Sequence, residues 1–105
     1  MQNVFHQNFP GQFVNIAEAL NPAGHDVVAI TDARNAQPDL IGTVRCAFEE
    51  ARAGTPHPLA ALYASRVARG AAAASATADL RGEGFVPDVV IGHPGWGETL
   101  FVKDV

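Results

Sequence analysis

Val89-Val90-Ile91-Gly92-His93-Pro94-Gly95-Trp96-Gly97-Glu98 is an apolar run that ends in a histidine and a glycine-rich turn. A related stretch opens the chain: Val4-Phe5-His6-Gln7-Asn8-Phe9-Pro10-Gly11. If both are strands of one parallel sheet, both histidines and both Pro-Gly turns stand at its carboxyl edge. That is the edge at which open α/β sheets bind ligands.

Working outward, the segments between these runs supply the rest of a layered fold. Asn3 to Phe5 reads as a central strand, and Phe13, Ile16, Ala17 and Leu20 recur at helical spacing behind it. Asn21-Pro22-Ala23-Gly24 stops that helix, with Gly24 as a left-handed cap. Val27 to Ile30 is a second buried strand, Asp32 to Asp39 a polar loop, and Ile41 to Phe48 a third strand. In the third strand Val44, Cys46 and Phe48 share one side. Glu49 to His57 is a charged connection. Pro58 then opens a long alanine-rich helix, roughly Leu59 to Leu80, with an apolar stripe of Leu59, Tyr63, Val67, Ala71 and Ala74. Val89 to Ile91 is the fourth strand, and Gly97 to Val105 reads as the start of another helix.

The order β-α-β-β-α-β-α predicts an α/β, Rossmann-like, three-layer domain with a mostly parallel sheet, truncated before its last strands. The first strand should be central, the second and third progressively outward, and the fourth on the other side of the first. His6 and His93 then stand on neighbouring strands.

Composition narrows the function. A chain of 105 residues with 48% hydrophobic and 17% charged residues is one ordinary globular domain. Its formal net charge of −4 carries no clustered basic footprint, which argues against nucleic acid as a partner. Arg66 and Arg69 share a helix face and read as a solvated pair. The single Cys46 reads as a small buried hydrophobe in a reducing compartment. No signal peptide and no transmembrane segment is visible.

The turns themselves suggest anion binding, because a helix start offers free N–H groups and the positive end of its dipole. A dinucleotide fingerprint would need three glycines, and the first turn has only Gly11, although Asp32 lies near the position of a ribose-binding acid. The four histidines, at 6, 25, 57 and 93, have no metal-ligand spacing. The residues therefore point to no cofactor and no metal. His25 and His57 read as surface turn residues. His6 is open to two readings, a site residue or a bridge to a backbone carbonyl across the edge, and so is His93. Trp96 is equally open, as a stacking platform for a sugar ring or as a hydrophobic lid. Glu98 reads as a dipole complement in a first helical turn.

His6 to Phe13, Gly24-His25-Asp26-Val27-Val28, and Pro87 to Glu98 together resemble the amino-terminal region of bacterial family 4 glycosyltransferases. The resemblance implies a GT-B enzyme, in which two Rossmann-like domains face a cleft. The first mainly serves the acceptor and the second mainly the nucleotide-sugar. It implies retention of anomeric configuration without a bound metal. It places His93 at the transferred sugar and Gly11, flanked by Pro10 and Gln12, at the donor phosphates. His6, Gly95 and Trp96 join them as candidate binding residues.

The family's second domain would carry a pair of glutamates eight positions apart. This chain has no such pair: Glu18 plus eight is Asp26, and Glu49 plus eight is His57. The expectation is therefore a single acceptor-side fragment, residues 1–105, of a transferase whose partners are a nucleotide-sugar and an acceptor. It would be cytoplasmic, at the inner membrane surface where the acceptor is a lipid. Alone it should be inactive, bind nucleotide-sugars only at millimolar concentration, and self-associate through apolar surface near Leu100 and Phe101. The competing reading is a free-standing Rossmann-like module that binds a nucleotide or phosphorylated ligand at the same edge.

Overall fold

The computed structural model describes residues 2–6, 9–48 and 57–105. Gln7 and Asn8 of the first motif and the connection from Glu49 to Pro56 lie outside the described residues. Four strands form the sheet: β1 (Gln2–Phe5), β2 (Val27–Asp32), β3 (Gly42–Cys46) and β4 (Val89–Gly92). Two α-helices accompany them, α1 (Val14–Leu20) and α2 (Pro58–Gly82), with short 3-10 turns at Gly11–Phe13 and Val102–Asp104. All pairings are parallel and the order is β3-β2-β1-β4. The expected α/β Rossmann-like class and the central first strand are both present.

Alternation along the strands sorts the core into two halves. Val4 pairs with Ala29 and Ile91, and these side chains pack with Phe9, Phe13, Ala17 and Leu20 on the α1 side. Phe5 pairs with Ile30, and Ile30 with Val44; that row packs on Ala73, Ala76 and Leu80 of α2. For the inner strands β1 and β2 each face thus feeds one helix, whereas on the edge strand β4 Val89 is 49% and Val90 37% exposed.

Three expectations are corrected. First, α2 does not bury the stripe from Leu59 to Ala74. Leu59 and Tyr63 are each 70% exposed, and the buried positions are Gly70, Ala73, Ala76 and Thr77. A face of small residues lets the helix lie close to the sheet, and the bulky residues fall on its first turns, which have no described strand beneath them. Second, Asp32 closes β2 instead of opening the following loop.

Third, no helix begins at Gly97. Gly97 has φ +97, in the left-handed region that L side chains rarely adopt. The bonds that follow span three residues, from Leu100 N–H to the Gly97 carbonyl and from Asp104 N–H to that of Phe101. They close turns and a 3-10 segment. Leu100 is 52% exposed there, while Phe101 is half-buried.

The connection from β2 to β3 crosses between parallel strands without a helix. Arg45 on β3 laces it in place, donating to the Asn35 carbonyl at 2.7 Å and to the Asp39 carboxylate at 2.5 Å. Asn35 in turn donates to the Phe9 carbonyl at 2.7 Å and to the Thr31 hydroxyl at 3.0 Å, tying this loop to the first turn.

Candidate functional site

Phe5 and Gly92 are register partners at the ends of β1 and β4, so His6 and His93 follow directly from paired residues on neighbouring strands. Both Pro-Gly turns therefore lie on one side of one edge, as the topology predicted.

The His6 backbone N–H continues the ladder by donating to the Ile30 carbonyl at 3.1 Å. Its ring stands edge-on to Phe13, with centroids 5.5 Å apart, and lies against Gly11. Gly11 has φ +45, and a Cβ built there would collide with the His6 imidazole. The positive φ favours glycine here, and any larger residue would also displace the His6 ring. Pro10, half-buried, precedes the 3-10 turn through a cis Phe9–Pro10 peptide, and Gln12 beside it is exposed.

His93 also folds onto its turn. Its Nδ1 accepts the Gly95 N–H at 3.0 Å. Because Nδ1 is an acceptor, the proton of the neutral ring sits on Nε2, which is then the donor. The Trp96 ring lies 6.1 Å from that of His93, tilted by 40°.

Helix α2 passes over this turn, and it is here that sequence reasoning missed the most. The Arg66 guanidinium lies 4.8 Å over the Trp96 ring, a cation–π stack that occupies the indole. Gly97 presses against the Arg66 carbonyl so closely that a Cβ would collide with it. Arg69 points to the Trp96 carbonyl at 3.4 Å and to Glu98 at 3.9 Å. The expected solvated arginine pair is thus part of the packing, and Glu98, expected to complement a helix dipole in a first helical turn, follows no helix start and is only 6% exposed. Burial pushes the Glu98 carboxyl above its ordinary value, and its own backbone N–H and the nearby Arg69 and Arg66 only partly offset that.

On the neighbouring strands Asp32 accepts from Arg34 through both oxygens, from the backbone N–H at 2.8 Å, Nε at 3.0 Å and Nη2 at 2.7 Å. This grip holds the Asp32 carboxyl below its usual range. A carboxylate so engaged is not presented to a ribose hydroxyl. Phe48, just past β3, has Arg34 over its ring at 5.0 Å and Arg69 at 4.5 Å. Cys46 is half-buried, and burial raises its thiol pKa, so it carries little thiolate character.

His25 is exposed, as expected. His57 is also exposed, and it caps α2 by accepting the Leu59 N–H at 3.2 Å. Among the described residues no group of three His, Cys, Asp or Glu side chains could hold a metal ion. No described helix is long and apolar enough to cross a membrane.

The signal for Arg66, Arg69 and Glu98 was present but unreadable in isolation. The two arginines share a face of an alanine-rich helix, and nothing in that composition shows that this face meets the β4 turn.

No curated protein and no solved structure matches the chain. The family described as the glycosyl transferase family 4 group matches residues 23–105, a span that holds the second turn and leaves Val4 to Gly11 outside. With that span covering most of its length, the chain belongs to the glycosyl transferase family 4 group.

Proposed function

We propose that this chain is the N-terminal, acceptor-side domain of a two-domain GT-B glycosyltransferase that moves a sugar from a nucleotide-sugar to an acceptor with retention of configuration. The observation that carries the reading is the pairing of Phe5 with Gly92, which brings the His6 and His93 turns to one carboxyl edge. In this reading the Nε2–H of His93 donates to a hydroxyl of the transferred sugar while positive charge builds at the anomeric carbon. The turn that fixes Nδ1 also fixes that tautomer. Gly11, Pro10 and Gln12 lie beside the donor phosphates, with His6 packed beneath Gly11. Trp96, already stacked by Arg66, acts as a wall of the site rather than an open platform. The lone Cys46 suits a cytoplasmic protein, working at the inner membrane surface where the acceptor is a lipid.

Most donor contacts belong to the second domain in this reading. The chain alone should then transfer no sugar and bind nucleotide-sugars with a Kd in the millimolar range, about −4 kcal/mol. Titration calorimetry that gives micromolar affinity would replace this reading with a self-sufficient nucleotide-binding module. In the complete enzyme His93→Ala should lower kcat by ~10²-fold with a smaller change in KM, the signature of a contact that tightens in the transition state. Full kcat with a lowered melting temperature would assign His93 to structure.

A further inference from the structure

Glu98 keeps only 7% of its side chain exposed and Arg69 only 11%. Their facing atoms, Arg69 Nε and Glu98 Oε1, are 3.9 Å apart, beyond hydrogen-bond distance, and neither has another hydrogen-bond partner among the described residues. A buried pair of opposite charges at that separation attracts through poorly screened space. Desolvation of both groups consumes most or all of the gain, so such a pair is weak evidence for stability. What it does is better sought in what it holds.

It holds the β4 turn. Residues 96, 97 and 98 each meet α2: the Trp96 ring lies under Arg66 and its carbonyl near Arg69 Nη1, Gly97 sits on the Arg66 carbonyl, and Glu98 faces Arg69. Arg69 is the shared member, reaching both the Trp96 carbonyl and the Glu98 carboxylate from one side chain. At the other end of the same turn His93 is bonded to Gly95 and lies against Trp96. A continuous path of contacts therefore runs from Glu98 through Arg69 and Trp96 to the imidazole.

We propose that Glu98 is a positioning residue: with Arg69 it latches the His93–Trp96 turn to α2 and so sets where the imidazole stands. The proposal rests on the functional reading above, in which His93 belongs to the site. The latch itself can be read without any turnover.

Trp96 is the only tryptophan of the chain, so its emission reports this turn alone. Acrylamide quenching and the emission maximum would be measured in the unaltered chain and in E98Q, R69Q and the double variant. Each single change should raise quenching and shift the emission to the red while the far-ultraviolet circular dichroism stays unchanged. The double variant should go no further than the larger single effect, because two residues that act as one unit are not additive. Quenching in E98Q equal to that of the unaltered chain would overturn the latch, and so would additive effects, which would mean that Glu98 does not act through Arg69. If E98Q does not fold, R69Q reads the same latch from its other partner, and unchanged quenching there is equally fatal. In the complete enzyme, a loosened Trp96 with undiminished sugar transfer would keep the latch and remove the His93 reading, so the two failures are distinguishable.

Discussion

Asp32 and Glu98 stand at the same edge and respond to pH in opposite senses. Asp32 is held by Arg34, which lowers its pKa from an ordinary 3.8. The native state therefore releases that proton more readily than the unfolded chain does. Its contribution to stability is present above the ordinary value and is lost as pH falls through the native one. Glu98 is raised from 4.5 by burial, so the native state keeps its proton longer. Its contribution is complete below 4.5 and is lost as pH rises through the native value. Denaturant melts across the acid range should therefore show E98Q flattening the decline that begins above 4.5, while D32N flattens the loss at the acid end. An E98Q profile parallel to that of the unaltered chain above 4.5 would show that the carboxyl is not desolvated. Nothing in the residues alone gave Glu98 this role. A glutamate after Trp-Gly looks like a helix start, and only the left-handed Gly97 turns it inward against Arg69.

Between elements, the critical contact is glycine against glycine. A Cβ on Gly70 of α2 would come within 2.6 Å of the Gly97 carbonyl and crowd Leu100 and Phe101. Gly70→Ala gains about 1 kcal/mol of helix propensity and risks about 1–3 kcal/mol of overpacking against backbone that has little room to move. Destabilisation should win, with a lower melting temperature and a displaced Trp96 emission. Gly82, at the last position of the same helix, has nothing within 4 Å of its built Cβ. Gly82→Ala should stabilise by up to about 1 kcal/mol, since the unfolded chain loses freedom and no contact is strained. If the two substitutions had the same sign in thermal melts, packing would not be the discriminating factor.

The same contact explains what the sequence disclosed about α2. Its existence, start and length were legible from Pro58, the alanine run and Gly82-Glu83-Gly84. Its buried face was not, because alanine and glycine carry no volume contrast from which a period can be read. The strands were legible for the converse reason: Val27 to Ile30 and Val89 to Ile91 are dense β-branched runs, although only the first is largely buried, since Val89 and Val90 lie exposed on the edge strand. For the site, the two histidine turns were readable from sequence, and the α2 arginines that hold the second of them were not.

Across the whole molecule, two separate cores share one thin sheet. Phe5, 1% exposed, is the largest side chain buried between the strands and α2. Phe5→Ala should cost about 3–5 kcal/mol, a large share of the 5–15 kcal/mol that holds a domain together, and leave much of the chain unfolded at 37 °C. Circular dichroism at that temperature checks it, and a cooperative native-like melt would mean that the α1 side carries the fold alone.

Helix α2 has 25 residues and so extends about 37 Å, whereas a four-residue strand spans only about 13 Å. It is therefore a cantilever, clamped from Arg66 onward and overhanging before that, with Leu59, Leu62 and Tyr63 exposed on the overhang. Any force or bound molecule acting on the overhang is felt first at the β4 turn, the contact nearest to it, ahead of the packing of Ala73, Ala76 and Leu80 on the sheet. Amide exchange should run fast from 59 to 65 and slow from 70 to 77, with a sharp step between. Uniform protection along the helix would mean that the overhang has a support of its own.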